Sequence, residues 1–406
     1  MPLRRSWRVR AAAAGRFSVP VSLCESLAAH RQALIDFTRD LVAIPTENPP
    51  GNEYARAVEV ICRQLNQLGF EDTRVEGECV LSFVGSGERT VYFSGHYDVV
   101  PAQNASQFEP QLKGPNLFGR GSSDMKSGLA AMTYAAAALR DSGALRDGRI
   151  GLVFVPDEET AGPRGSRHLV ERGLLGTNGI AMFTPEPTGG VTWNANRGAI
   201  TLKVTVRGKA AHVGQQYRGL NAFERMLAVA QALMELKREV VTRQTSFRIH
   251  PEAARRSILM LGGQASSGAN FNVVPEVCSF TVDRRINPEE SFEEEKQRLF
   301  EVLDAAGAEA VVLQEGASCG VDEHCEAGRA LASAIEAVTG KTAAFELCPG
   351  LLEIRFYAAC GIPAFAYGPG LLTVSHGPDE FVPVERIVEC AQVYAIATAK
   401  LLEQRV

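Results

Sequence analysis

The sequence predicts an α/β protein whose mostly parallel sheet has helices on both faces, with a smaller ferredoxin-like α+β domain inserted into it. From about residue 27, apolar strand-like runs alternate with segments of helical periodicity, which is the pattern of parallel strands joined by helices. Near residue 195 the strands begin to alternate apolar and polar residues, as in a sheet with one covered face.

The first part of the chain supplies helices and buried strands in turn. Helical periodicity runs through LAAHRQALIDFTRDLVAI and EYARAVEVICRQLNQLGF, and a helix of small residues is expected at SGLAAMTYAAAALRDSG. Continuously apolar strands are expected at CVLSFVG, TVYFSGH and RIGLVFVPD. Such runs fit strands that are buried on both faces.

Residues 194–315 are predicted to form the inserted domain. Their strands and helices follow the order βαββαβ, from GAITLKVTVRG to AEAVVLQE, which is the order of a ferredoxin-like fold. The α/β pattern then resumes, so the main domain is expected to be discontinuous over 25–193 and 316–406. Residues 1–24 are expected to be a disordered extension, because the start is rich in arginine and lacks the apolar core of a secretory signal.

Composition narrows the class of protein. Hydrophobic residues make up 45% and charged residues 22% of the chain, and the net charge is −5, as in an ordinary globular protein. There is no basic stripe for nucleic acid and no apolar run of the ~20 residues that a membrane helix needs. The nine scattered cysteines suit a reducing compartment, so a cytoplasmic location is expected.

Acidic and histidine residues gather where predicted strands end, which is where sites form in α/β sheets. His96 and Asp98 follow TVYFSG, and other such residues follow later strands or precede a helix. Each could alone be an ordinary polar group, but together they form a donor set for divalent metals. Carboxylates that can bridge would support two ions. The set is His96, Asp98, Asp124, Glu158, Glu159, Glu186 and His376.

The motifs SGHYDVVPA, GRGSSDMKSGLAAM, PDEETAG, TPEP and SHGPDEFVP resemble those of the M20 family of metallopeptidases and deacylases, in order from about residue 30 to 400. That family includes succinyl-diaminopimelate desuccinylase, acetylornithine deacetylase, aminoacylase and glutamate carboxypeptidase. The resemblance implies a discontinuous catalytic domain with two divalent ions, zinc first and cobalt or manganese as alternatives. It also implies that the inserted domain serves as a lid or for dimerisation.

The resemblance also implies roles for the gathered residues. His96, Asp124 and Glu186 would hold one metal, and Asp124, Glu159 and His376 would hold the other, with Asp124 bridging. Glu158 would be the general base for a water that bridges the metals, and Asp98 would orient His96. A cis peptide bond is implied between Asp124 and Met125.

Further residues are implied in the inserted domain. His212 in GKAAHVG would polarise the scissile carbonyl of a substrate bound in the neighbouring subunit, and Asn272 would reach the same site. Arg197 and Arg285 would contact substrate carboxylates, while Arg284 is taken as a surface charge. A homodimer is therefore expected.

The substrate loop departs from the family pattern. Desuccinylases carry a Gly-Gly-Thr-Ser-Asp-Gly-Arg-like stretch, whereas this chain has CPGLLEIRFY. Gly350 and Arg355 match, but Leu351 and Leu352 cannot hydrogen-bond an anionic acyl group, and an unpaired charge there would be costly. A less polar acyl group or side chain is therefore expected against the two leucines.

Together these features predict a di-metal hydrolase that cleaves the amide bond of an N-acyl amino acid. A metallo-exopeptidase, either a dipeptidase or a carboxypeptidase acting on short peptides, would use the same metal site and stays open. A catalytically silent binding protein on this fold is a third reading, against which the complete set of ligands and the base argue.

Overall fold

The computed structural model describes residues 19–145 and 148–403. Ten α-helices lie in these two ranges: α1 (Val19–Ala29), α2 (Arg31–Val42), α3 (Tyr54–Gln67), α4 (Ser127–Asp141), α5 (Ser166–Glu171), α6 (Ala222–Val240), α7 (Phe292–Ala305), α8 (Glu326–Thr339), α9 (Ile354–Ala359) and α10 (Val384–Glu403).

Sixteen strands lie in the same part of the chain: β1 (Asp72–Glu76), β2 (Cys79–Gly85), β3 (Arg89–His96), β4 (Gln111–Lys113), β5 (Asn116–Phe118), β6 (Gly148–Val155), β7 (Gly179–Thr184), β8 (Thr192–Asn196), β9 (Gly198–Arg207), β10 (Ile258–Ser267), β11 (Val277–Ile286), β12 (Glu309–Gly316), β13 (Cys319–Gly320), β14 (Phe345–Cys348), β15 (Ala364–Ala366) and β16 (Phe381–Pro383).

A nine-stranded mixed sheet forms the body of the protein. Its order is β1-β2-β6-β3-β7-β15-β8-β13, with β14 paired to β8. The centre, from β6 through β3 and β7 to β15, is parallel, whereas β1, β2 and β13 are antiparallel to their neighbours. The predicted α/β class is confirmed. The antiparallel strands lie towards the two edges of the sheet, and antiparallel neighbours can be joined by a short turn instead of a helical crossover.

The central strands are apolar throughout because helices cover both faces. Val91 and Phe93 of β3 lie in one hydrophobic cluster with α4 and α10. Tyr92, between them, lies in a second cluster with α5 and α9. Successive side chains of a strand point to opposite faces, so both sets must be apolar to be buried.

The second sheet has the order β10-β11-β9-β12 and is antiparallel throughout. Helices α6 and α7 pack on one face through a core of their own, which includes Leu202, Val229 and Leu299. This arrangement is the predicted ferredoxin-like βαββαβ unit. The predicted insertion begins at residue 194, which lies inside strand β8, and β8 pairs within the large sheet. The limits 194–315 stay a prediction.

The beginning of the chain differs from its prediction. The periodic stretch over residues 27–44 is two helices, α1 and α2, separated at His30. Residues 19–24 belong to α1, and Leu23 is buried in the core, whereas a disordered extension was expected over 1–24. The rest of that prediction, residues 1–18, lies outside the described residues.

Among the helices that the structure describes, none is long and apolar enough to cross a membrane.

The loop between β14 and α9, which was predicted to contact substrate, is fixed by two buried side chains. Arg355 donates from Nη1 to the carbonyl oxygen of Leu352 at 2.6 Å, and its guanidinium stacks on Phe356. Glu353, which is 3% exposed, accepts a hydrogen bond from Ser166 of α5. Burial raises the pKa of Glu353 to about 8, against the opposing charge of Arg355.

We expect Glu353→Gln to make stability less sensitive to pH. The folded protein keeps a proton on Glu353 up to about pH 8, whereas the unfolded chain releases it near pH ~4.3. This group's contribution to the free energy of unfolding is therefore largest at low pH and falls as the pH rises towards 8. Glutamine stays neutral and can accept the bond from Ser166.

The measurement is the Tm of both proteins between pH 5 and pH 9. The variant should match the wild type at pH 5 and exceed it at pH 9, with each 1 kcal/mol worth about 1 °C in a chain of this length. Glu336→Gln, at an exposed position on α8, is the control. A constant Tm difference between wild type and Glu353→Gln across this range would contradict the expectation.

Candidate metal centre

The predicted site lies where the three central parallel strands end. His96 is the last residue of β3, Glu158 and Glu159 follow β6, and Glu186 follows β7. Since β6, β3 and β7 are adjacent and parallel, their carboxyl ends bring these side chains together. Gly95 allows this approach, because a Cβ there would lie 2.8 Å from Leu129 of α4.

Asp124 stands at the centre of the site. One of its carboxylate oxygens, Oδ1, lies 3.3 Å from Nε2 of His96. The other, Oδ2, lies 3.3 Å from Nε2 of His376. The peptide bond after Asp124 is cis, which confirms the implied geometry. Asp124 thus faces one histidine with each oxygen, as a bridging carboxylate would.

The remaining acids divide between the two histidines. Nε2 of His96 is 4.0 Å from Oε2 of Glu186 and 3.9 Å from Oε2 of Glu158. Nε2 of His376 is 3.4 Å from Oε2 of Glu159. Acids and a histidine therefore lie on each side of Asp124, and the assignment of each to one metal stays a prediction.

These residues fit divalent metal ions. Within the part of the chain that the structure describes, Nε2 of His96, Oε1 of Glu159 and Oε1 of Glu186 are buried with no hydrogen-bond partner, although buried polar atoms are nearly always paired. His96, Asp124 and Glu159 offer donor atoms within 4.8 Å of one another. Imidazole and carboxylate donors suit zinc and similar ions.

The shifted pKa values of acids and a histidine in this site also fit the binding of divalent metal ions. Burial raises the pKa of Glu159 to about 7 and that of Glu186 well above the ordinary range. Hydrogen bonds with Asp124 and Glu159 raise the pKa of His376 to about 10. Both glutamates therefore hold a proton more readily than an exposed acid does, and cations that bind there would displace these protons.

Two carboxylates fix the site from behind. The carboxylate of Asp98 lies 3.4 Å from Nδ1 of His96, which is hydrogen-bonded to the carbonyl oxygen of Asp98 at 3.0 Å. The same carboxylate accepts the backbone N–H groups of Glu158 and Glu159, each at 3.2 Å. Glu380 accepts the backbone N–H groups of Ser123 and Asp124, each at 3.0 Å, and pairs with the buried Arg120. Asp98 therefore lies in its predicted place, whereas Glu380 was missed although SHGPDE contains it.

A cavity of about 330 Å³ opens onto the acids. Gly350, Leu351 and Leu352 line it, as predicted for the substrate loop, and Arg285 is its lining arginine. Trp193, Gln314 and Leu372 also line the cavity and were not predicted. These three come from β8, β12 and a loop after β15, so their meeting depends on the tertiary fold.

Arg197 and Arg284 are both buried and hydrogen-bonded. Arg197 donates to Asn287 and to the carbonyl oxygens of Ala254 and Arg256, and it does not line the cavity. The expected contact between Arg197 and substrate therefore has no support here.

Arg284 is 1% exposed and pairs with Glu290 and Glu295. It is not the surface charge that was expected, because it is buried and paired with two acids of the same domain. Arg355 does not line the cavity, so its predicted contact with substrate has no support. Its guanidinium instead holds the substrate loop through a hydrogen bond to the carbonyl oxygen of Leu352.

His212 and Asn272 lie together at one end of the second sheet. The carbonyl oxygen of Asn272 accepts the N–H of Val213, and the exposed His212 accepts the N–H of Gly214 at Nδ1. Neither residue lines the cavity of its own chain.

Known proteins resemble this chain over most of its length. A putative succinyl-diaminopimelate desuccinylase DapE of Mycobacterium tuberculosis is 30% identical over 355 residues, which are 87% of this chain and 94% of the relative. The dipeptidase Dug1p of Saccharomyces cerevisiae has a structure that matches with a TM-score of 0.76 at 17% identity, over 95% of this chain and 99% of that one.

The YXEP protein of Bacillus subtilis, described as a dinuclear metal binding peptidase, matches with a TM-score of 0.68 at 17% identity, over 93% of this chain and all of that one (100%). The sequence model of peptidase family M20/M25/M40 matches residues 92–400. The chain therefore belongs to the peptidase family M20/M25/M40, and it is a metal-dependent amidohydrolase of that family.

Proposed function

We propose that this protein is a two-zinc deacylase that hydrolyses the amide bond of an N-acyl amino acid. The observation that carries the proposal is the position of Asp124, whose two oxygens each lie 3.3 Å from a different histidine. A single carboxylate set between two imidazoles could bridge a pair of ions about 3.5–4 Å apart, the separation found in two-metal hydrolytic sites.

The two ion positions would share Asp124. His96 and Glu186 would complete the first, and Glu159 and His376 the second. When bound, the ions supply Lewis acidity, which lowers the pKa of a water molecule and polarises a substrate carbonyl. The similarity to the YXEP protein, which is described as dinuclear, supports two ions rather than one.

Glu158 is proposed as the general base. Its carboxylate lines the cavity and lies 3.9 Å from Nε2 of His96. Burial raises its pKa above the ordinary range, which improves its ability to take a proton from water at neutral pH and to return it to the leaving nitrogen. Asp98 accepts a hydrogen bond from the backbone N–H of Glu158 and so holds that backbone in place.

The cavity wall supports an apolar acyl group or side chain. Leu351, Leu352 and Trp193 line the space beside the acids together with Arg285. Arg285 pairs with Asp283 at 2.6 Å, and we propose that it turns its remaining N–H donors to a substrate carboxylate. A succinyl group would bring a second carboxylate against the leucines without a hydrogen-bond donor from their side chains. We therefore propose a substrate less polar than that of the desuccinylase relatives.

A dipeptidase is the second candidate, because Dug1p is described as a dipeptidase and shares the fold. The same metal centre would serve both reactions, and the two differ in whether the group beside the leucines is an acyl chain or an amino acid. Turnover of a panel of dipeptides against N-acyl amino acids decides between them.

We also propose a homodimer in which His212 reaches the cavity of its partner, since it lies outside its own. Leu227 on α6 and Met260 on β10, the edge strand of the second sheet, are about half exposed, at 55% and 49%, and a second copy would cover such apolar side chains along this edge. A monomer in sedimentation analysis would contradict this.

A cytoplasmic location is supported by nine cysteines that are all free thiols.

Glu158→Ala should lower kcat by about 10²- to 10⁴-fold, the contribution of a general base, and should leave bound zinc unchanged, because Glu158 belongs to neither proposed ligand set. The measurements are kcat on an N-acyl amino acid and zinc content by mass spectrometry. Glu171→Ala, at an exposed position on α5, is the control. Retained turnover in Glu158→Ala, or loss of its zinc, would remove Glu158 from this role.

Wild-type kcat/KM should rise from N-acetyl to longer N-acyl amino acids and should be poor for N-succinyl-diaminopimelate. Leu351→Thr should lower kcat/KM for the longest chain by about tenfold relative to acetyl, since apolar contact in a pocket is worth this order. Leu313→Thr, at an exposed position on β12 outside the cavity, is the control. Efficient turnover of N-succinyl-diaminopimelate would contradict the apolar wall.

A further inference from the structure

We propose that Asn48 is a positioning residue that sets the spacing between the two halves of the metal centre. The proposal rests on the proposed function, because it concerns the same ions. Asn48 is 4% exposed and belongs to the segment between α2 and α3, which contains none of the proposed ligands.

The backbone around Asn48 is fixed against the end of β3. Its N–H donates to the carbonyl oxygen of Val99 at 2.8 Å, and the N–H of Val99 donates to Thr46 at 2.9 Å. The hydroxyl of Thr46 donates to the carbonyl oxygen of Tyr97 at 2.6 Å. The segment therefore runs beside residues 97–99, immediately after His96, and Asn48 has little freedom to move.

The side-chain amide of Asn48 reaches three acceptors. Its Nδ2 lies 2.9 Å from Oδ2 of Asp98, 3.0 Å from the hydroxyl of Thr160 and 3.3 Å from Oδ1 of Asp157. An amide nitrogen carries two hydrogens, so three acceptors share them. Asp157 and Thr160 stand immediately before and after Glu158 and Glu159, so one amide holds both ends of the loop that carries them.

Asp98 completes the connection. It is 3.4 Å from Nδ1 of His96, and it accepts the N–H groups of Glu158 and Glu159. Asn48 therefore joins the group behind one proposed metal ligand, His96, to the loop that carries another, Glu159. Groups that orient metal ligands from behind typically account for about 10- to 100-fold in metal affinity or activity.

The chemistry at this position calls for a neutral donor. An aspartate in place of Asn48 would put a third carboxylate between Asp98 and Asp157, and like charges at this distance repel. An alanine would remove the donor that Asp98, Asp157 and Thr160 share. Asp98 would keep the N–H groups of Glu158 and Glu159, and Asp157 would keep Arg164, so only the link between them would be lost. Both changes should loosen the loop of Glu158 and Glu159 relative to His96 without removing a ligand.

The experiment is calorimetric titration of Zn²⁺ into the full chain after treatment with a chelator, for wild type, Asn48→Ala and Asn48→Asp. We expect zinc affinity to fall by about 10- to 100-fold in both variants, and kcat to fall more than KM rises. Circular dichroism and Tm before zinc is added show whether each variant folds, and if one does not fold the other decides.

Asn194→Leu is the matched control. Asn194 is also a buried amide, 5% exposed, and its Nδ2 donates to the carbonyl oxygen of Val321, away from the acids. It should lose stability but keep wild-type zinc affinity. Unchanged affinity in the Asn48 variants overturns the inference while the proposed function stands, and an equal loss in Asn194→Leu also overturns it. A wild type that binds no zinc overturns both.

Discussion

The main physical constraint on this structure is the repulsion between carboxylates that are buried close together around Asp124. Asp124 faces two histidines at 3.3 Å, and Glu158, Glu159 and Glu186 line the same cavity. Burial raises the pKa of all three glutamates, so each is harder to ionise here than in water. Divalent cations held by these residues would offset the repulsion between the carboxylates and would replace their protons.

The rest of the fold holds the acids together despite this repulsion. Three parallel strands end at one edge and deliver His96, Glu159 and Glu186 from different parts of the chain. Asp98 and Glu380 then fix the backbone on either side through N–H groups. Fixing the backbone rather than the side chains leaves the carboxylate oxygens themselves free to bind metal.

Sequence periodicity was sufficient for the class of fold and for most strands, since burial on one or both faces leaves a regular pattern in the chain. It did not separate α1 from α2, because both bury apolar side chains in the same core and the break at His30 leaves no strong turn signal. Short strands such as β13 and β14 carry too few residues to show any period.

The predicted metal ligands lie together because the motifs that carry them are local and occur at strand ends. Roles that depend on burial were harder to predict. Arg197 and Arg355 were expected to contact substrate and Arg284 to be a surface charge, yet the fold buries each guanidinium and satisfies it with hydrogen bonds. Asn48 and Glu380 act through residues that are about 50 and 260 positions away in the chain, and no local pattern reports such contacts.

Anomalous X-ray scattering from crystals grown with zinc tests the central claim most directly. Two peaks, one on each side of Asp124 and each contacted by one of its carboxylate oxygens, are the expected result, with His96 beside one peak and His376 beside the other. A single peak, or zinc bound without contact to Asp124, would contradict the account.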